Sequence, residues 1–166
     1  MTLMSMYEEK LALYRAYMLE LDGFRETPAF TDDADVIADF EAYINSSECS
    51  WHNVFDNGEL VGFLIMGKSG RFVHPDSIRS VREAYVLPDH RGKHLLRDVL
   101  GDYMTRHKGV YSLLVLRRNQ FALRFWPTCF KSLGYRPCAL STDCIRSNGD
   151  DLILMGFEPI ESASEG

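Results

Sequence analysis

One stretch of this chain restricts its fold more than any other. An apolar run from Ile78 to Leu87 ends at Pro88, and the basic loop Asp89-His90-Arg91-Gly92-Lys93-His94 follows. Leu95, Leu96, Val99, Leu100, Tyr103 and Met104 then recur at spacings of three and four, which marks a helix across 91–107. Pro88 cannot donate to a sheet and so ends the strand. A strand that feeds a helix through so short a turn needs a sheet for that helix to cover, so the chain is α/β. The helix start combines unpaired N–H groups, the positive end of a macrodipole and the cations Arg91 and Lys93. Such a place suits an anion, and a pyrophosphate fits it.

The rest of the chain supplies the layers. Tyr7, Leu11, Tyr14, Met18 and Leu21 share one face of a first helix, which Gly23 stops. Val36, Ile37, Phe40 and Ile44 mark a second helix, with Thr31-Asp32-Asp33-Ala34-Asp35 as its capping and charged start. Asp56-Asn57-Gly58 between the apolar runs Trp51 to Phe55 and Leu60 to Met66 predicts a hairpin, because such turns need positive φ. Gly67 to Pro75 reads as a loop. Val110 to Leu116 reads as a strand, and 119–132 as a helix bent at Pro127. Arg136 to Thr142 and Leu152 to Phe157 read as strands either side of a turn at Ser147-Asn148-Gly149-Asp150. The tail Glu161 to Gly166 is small and polar and should fray.

Composition narrows the function. A chain of 166 residues is about one domain's worth. A net charge of −6 argues against nucleic-acid binding, which needs basic stripes, and is compatible with a cationic amine. Cys49, Cys129, Cys138 and Cys144 form no C-x-x-C pair and no zinc spacing with histidine, so no metal site is expected. Reduced thiols fit a cytoplasmic protein. Glu8, Glu9 and Lys10 interrupt any signal-like apolar core, and no apolar run approaches the ~18 residues of a membrane span.

Three segments carry a resemblance. Ala84-Tyr85-Val86-Leu87-Pro88 is similar to the end of the family's fourth strand in the GNAT superfamily of acyl-CoA-dependent N-acyltransferases. Arg91-Gly92-Lys93-His94-Leu95-Leu96 resembles its pyrophosphate loop, with His94 and Leu96 where the family has Gly, or Gly and Ala. Asn119, Ala122 and Phe125 match its following helical segment, which ends in Leu133-Gly134-Tyr135. The likeness spans about residues 30–157 and is most specific over 81–135. It implies one acetyltransferase domain over 1–160, with 161–166 as a polar tail. The fold implied is a mixed, mostly antiparallel central sheet flanked by helices and splayed between the family's fourth and fifth strands. The family's first strand has little room before the first helix of this chain.

The resemblance also implies roles. Acetyl-CoA would be the donor substrate and would need no metal. An amine on a small molecule or a protein would attack it directly, and a homodimer is compatible with the sequence. Main-chain groups of Tyr85, Val86 and Leu87 would hold the pantetheine arm. Arg91, Gly92, Lys93, His94, Leu95 and Leu96 would hold the pyrophosphate, and Asn119 would touch the pantetheine or simply cap its helix. The family's acid tyrosine is replaced by Trp126 in one alignment and by Phe130 in another. Strand alternation puts Val81, Glu83, Tyr85 and Leu87 on one face. Glu83 is then the candidate base, with an ion pair to Arg79 or Arg82 as its other reading, and Tyr85 is either a second catalytic candidate or a core aromatic. Cys129 reads as a buried, inert thiol rather than a nucleophile. A protein that keeps this scaffold only to sense CoA or to bind another protein is the competing reading.

Overall fold

The computed structural model describes residues 4–68, 78–139 and 141–161, and not the side chains of 142–144. The expected loop beyond Lys68 and the fraying tail beyond Glu161 lie outside the described residues. The order is α1 (Met6–Asp22), α2 (Asp33–Asn45), β1 (Cys49–Asp56), β2 (Glu59–Lys68), β3 (Arg79–Val86), a 3-10 turn (Pro88–His90), α3 (Leu95–Arg106), β4 (Tyr111–Leu116), α4 (Gln120–Ser132), β5 (Tyr135–Pro137), β6 (Thr142–Ser147) and β7 (Asp150–Pro159). The sheet runs β1-β2-β3-β4-β7, with β5 and β6 sharing the far edge of β7. Every pairing is antiparallel except β3 with β4.

Local chemistry accounts for the elements. Ser5 and Glu8 form a reciprocal capping box on α1, and Asp32 caps α2 through the Ala34 N–H. Asn57 and Gly58 both take positive φ, as the hairpin turn requires, and Asn148 and Gly149 repeat the device between β6 and β7. Three expectations are corrected. The third helix opens at Leu95, not at residue 91, because Gly92 and His94 have left-handed backbone. The strand expected over 136–142 is divided into β5 and β6, with Pro137, which has no N–H to donate, closing β5. Gly67 belongs to β2 rather than to a loop.

The sheet has two apolar faces. Leu64, Met66, Val81, Leu113 and Val115 pack with α3 and α4. Phe63, Ile65 and Tyr85 pack with α1 and α2. Val81 and Glu83 do not share a face. Ile65 pairs with Glu83 and Met66 pairs with Val81, so Arg82 is an extra residue in β3. This bulge resets the alternation and turns Glu83 toward α1 and α2.

Beyond that point β3 and β4 part. Their parallel register consists of Arg79 with Tyr111 and Ser80 with Ser112. Gly62 of β2 sets where β3 lies, since a Cβ there would come 2.2 Å from the Tyr85 carbonyl oxygen. Gly62→Ala should therefore displace β3 and cost about 1–3 kcal/mol, as overpacking does. A lowered urea midpoint would show it, and an unchanged midpoint would mean that β3 adapts freely.

Candidate functional site

The parting of β3 and β4 opens a cleft of about 880 Å³. Its walls include Ser80 to Ala84 of β3 and Ser112 to Leu116 of β4. Tyr17 and Tyr43 close it from the helices above, and Asn119, Ala122 and Trp126 from α4. Leu114 of β4 is exposed and lines the cleft.

Glu83 lies in the cleft between two phenols. The Tyr17 hydroxyl donates to its Oε2, and the Tyr43 hydroxyl donates to its Oε1 at 3.2 Å. Removal from water pushes the carboxyl up to about 7, while the two phenol hydrogen bonds oppose the rise. Asp39 adds a smaller upward push, which Arg25 counters. Both phenols are themselves held well above the usual tyrosine range, first by burial and then by the Glu83 charge, so both remain donors. The surface ion pair considered for Glu83 is not formed: Arg79 donates to the Tyr103 hydroxyl and Arg82 to the Lys68 carbonyl.

Tyr85 is placed differently. Its ring sits in the aromatic core beside Tyr17 and Phe63, with the Arg91 guanidinium 5.5 Å from its centroid. It is not among the residues lining the cleft. Burial is the main cause of its raised pKa. The backbone alternation also separates the three residues expected to hold an acyl arm. The Leu87 N–H donates to the Val61 carbonyl of β2 at 2.9 Å, so Leu87 and, two residues earlier, Tyr85 direct their main-chain groups toward β2. Val86 between them faces the other way. Its carbonyl accepts from Arg91 Nε at 2.8 Å.

The loop after β3 leads into the free N–H groups at the start of α3, and its cations are engaged with carboxylates. Gly92 has φ +84 and His94 φ +63, and the His94 side chain caps nothing, so it offers no competing acceptor to the first-turn N–H groups of α3. His94 occupies the conformation a glycine prefers, which explains how it can replace one in the motif. Leu95 and Leu96 help to anchor the helix start against Val54, Val61 and Val86. Lys93 Nζ lies 2.6 Å from Asp56 Oδ2, and His90 Nδ1 lies 2.8 Å from the same oxygen. These two partners hold the Asp56 carboxyl below its usual range. Arg91 Nη2 lies 3.0 and 2.8 Å from the two Glu20 oxygens. Sequence reasoning missed Glu20 and Asp56, because neither lies near the loop in the chain.

On α4, Asn119 caps the helix by accepting the Ala122 N–H at 3.1 Å, and it also lines the cleft. Trp126 lines the cleft as well. Phe130 is fully buried, stacked on Phe157 at 4.0 Å between centroids. Of the two alignments, the first is thus the one that puts its residue beside the cleft. Cys129 is buried, and burial pushes its thiol up to about 12, which leaves it protonated and inert. Among the described residues no cluster of His, Cys, Asp or Glu could hold a metal ion, and no helix is long and apolar enough to cross a membrane.

This geometry agrees with comparisons to known proteins. The Acetyltransferase (GNAT) family model matches residues 10–130, and the chain belongs to that family. The fold is shared with an acetyltransferase from Thermus thermophilus, at 16% identity and a TM-score of 0.61, covering 89% of this chain and 90% of that one. It is shared with the yncA protein of Salmonella typhimurium, solved with its cofactor acetyl-CoA, at 22% identity and a TM-score of 0.56, covering 95% and 94%. A third is the PaiA N-acetyltransferase of Thermoplasma acidophilum in complex with coenzyme A, at 12% identity and a TM-score of 0.54, covering 88% and 92%. No curated protein sequence matches the chain. The seven-stranded, mostly antiparallel sheet flanked by helices matches the fold of these GNAT neighbours, and no strand precedes α1 among the described residues.

The His94 backbone gives a direct test. His94→Gly should stabilise the protein, by up to about 1 kcal/mol, because glycine reaches positive φ without the Cβ conflict. Thermal unfolding measures it. A fall in melting temperature would mean that the imidazole makes a contact worth more than the strain.

Proposed function

We propose that residues 1–160 form one N-acetyltransferase domain that moves an acetyl group from acetyl-CoA to a primary amine, on a small molecule or a protein. The observation that carries this reading is the position of Glu83: a carboxyl with pKa near 7, in a cleft walled by the parted strands β3 and β4. The donor supplies an acetyl thioester. Val86 presents its main chain toward the parting of the strands, Asn119 stands opposite, and Gly92 to Leu96 present backbone N–H groups that suit a diphosphate. Lys93 and Arg91 add charge to that loop. Tyr85 supports the donor strand from the core, and Glu83 is the group placed to take the amine proton.

Positioning carries much of such a reaction, because it holds amine and thioester together. Glu83 adds general-base catalysis and must be ionised to do so. Activity should therefore rise with pH through about 7. Glu83→Gln should lower turnover at neutral pH by a factor of about 10²–10⁴ and leave acetyl-CoA binding intact. The deficit should shrink at higher pH, where more of the amine is already neutral. Release of free CoA thiol over an amine panel measures the rate, and a rise in melting temperature with acetyl-CoA or desulfo-CoA measures binding. No shift at millimolar acetyl-CoA would overturn the donor assignment. Binding without turnover on any amine would favour the CoA-sensing reading.

The same carboxyl predicts a stability trend. Its folded pKa lies above its unfolded value, so the folded protein holds the extra proton between about 4.5 and 7. Wild-type stability should fall as pH rises through that window, and Glu83→Gln should remove this part of the fall. Unfolding midpoints of both proteins at pH 5 and pH 8 check the sign; identical changes in the two would show that Glu83 ionises normally.

Trp126 lies at the cleft where the family's acid tyrosine is missing, and Trp126→Tyr puts a phenol there. If thiolate departure limits the rate, turnover should gain about tenfold, a change of 1.4 kcal/mol in barrier. The same change at Phe130 should give nothing, since that side chain is sealed in the core.

A further inference from the structure

The Arg91 side chain is committed to protein groups along its whole length. Nε donates to the Val86 carbonyl at 2.8 Å, and Nη2 reaches both Glu20 oxygens at 3.0 and 2.8 Å. The guanidinium lies 5.5 Å from the Tyr85 ring centroid and 5.9 Å from that of Phe121. Two features of the donor site are therefore held by one side chain: the loop's arginine charge, and the main-chain acceptor that faces the parting of the strands. Glu20 fixes that side chain from α1, and it is the one carboxylate paired with Arg91 among the described residues. A diphosphate and a carboxylate offer an arginine the same kind of acceptor, so they compete for it.

We propose that Glu20 is a positioning residue of the donor site, holding Arg91 folded across the end of β3 in the free protein and giving it up when the diphosphate of the donor arrives. The proposal rests on the acetyl-CoA reading above. Glu20 then sets donor affinity without touching the donor. It also ties the donor site to the cleft, because Tyr17, which donates to Glu83, lies one turn earlier on the same helix face. The Glu20–Arg91 pair is partly solvated, with side-chain exposures of 38% and 30%, so its effect should be small and sensitive to salt.

A double-mutant cycle on CoA binding by calorimetry tests this, with wild type, Glu20→Gln, Arg91→Ala and the double variant. Glutamine is a good helix former, so α1 should keep its helix. Glu20→Gln should tighten CoA binding about threefold at low salt, and the gain should shrink as salt is added. Arg91→Ala should weaken CoA binding about tenfold or more. In the Arg91→Ala background, Glu20→Gln should change nothing. Glu20→Ala serves as a second variant and should follow Glu20→Gln. Equal effects of Glu20→Gln in both backgrounds would overturn the proposal, since a purely structural role for Glu20 predicts that pattern. Wild-type binding with an unchanged or weaker Glu20→Gln would also overturn it while leaving the donor assignment standing. Failure of wild type to bind CoA would overturn the donor assignment and this proposal with it.

Discussion

Two backbone pairs, Arg79 with Tyr111 and Ser80 with Ser112, join β1-β2-β3 to β4 and the strands beyond it. The rest of the site depends on their ending there. Were the ladder to continue, the main-chain groups of β3 and β4 would satisfy one another, and no cleft would exist. Because it stops, both strands keep unused polar groups beside a cavity, an arrangement tolerated only where water or a ligand can reach. The bulge at Arg82 follows within two residues and turns Glu83 toward the helices. Gly62 holds the neighbouring strand close enough for β3 to keep its course. An open edge and an inward carboxylate thus arise from the same few residues.

The helices above the sheet do more than cover it. Tyr14, Tyr17, Phe40, Tyr43, Trp51 and Phe63 form a chain of aromatic contacts between α1, α2 and the sheet. Tyr14 turns its hydroxyl to Asp39, while Tyr17 and Tyr43 turn theirs to Glu83. Buried tyrosines need such partners, and here the partners are carboxylates. The packing that stabilises the α1–α2 layer also fixes the environment of the candidate base.

Much of the fold was legible in the sequence because it is local. The Asn57-Gly58 turn, the capped start of α2 and the strand-Pro-loop-helix unit each announce themselves within a dozen residues. The candidate site was legible only in part. Glu83 was chosen as a candidate from the strand that carries it, but the reason it faces Tyr17 and Tyr43 is the bulge, which alternation cannot reveal. The simple period instead grouped it with Val81. His94 looked like a departure from a glycine motif, yet its backbone takes the glycine conformation, and sequence shows side chains rather than φ. Arg91 was assigned to an anion. The competing carboxylate comes from Glu20, 71 positions away, and no local pattern connects them.

Under the proposed reaction, Trp126 at the position of the family's acid tyrosine is compatible with a base of the strength of Glu83. A free alkylammonium has a pKa near 10.4, so a carboxyl near 7 cannot fully deprotonate it beforehand. Once the new carbon–nitrogen bond begins to form, that nitrogen becomes far more acidic, and a base near 7 is then strong enough. An ammonium has no lone pair to attack with, so its first proton must leave before attack, and under the proposed reaction a base near 7 suits the second proton, lost as the bond forms. On the other side of the reaction, an alkyl thiol with a pKa near 8.5 leaves as thiolate far more readily than an alkoxide or an amide would. In the proposed reaction the greater need for a protein group is thus on the amine side, the role proposed for Glu83, which lies between two phenols. Trp126 contributes packing to α4 and a wall to the cleft.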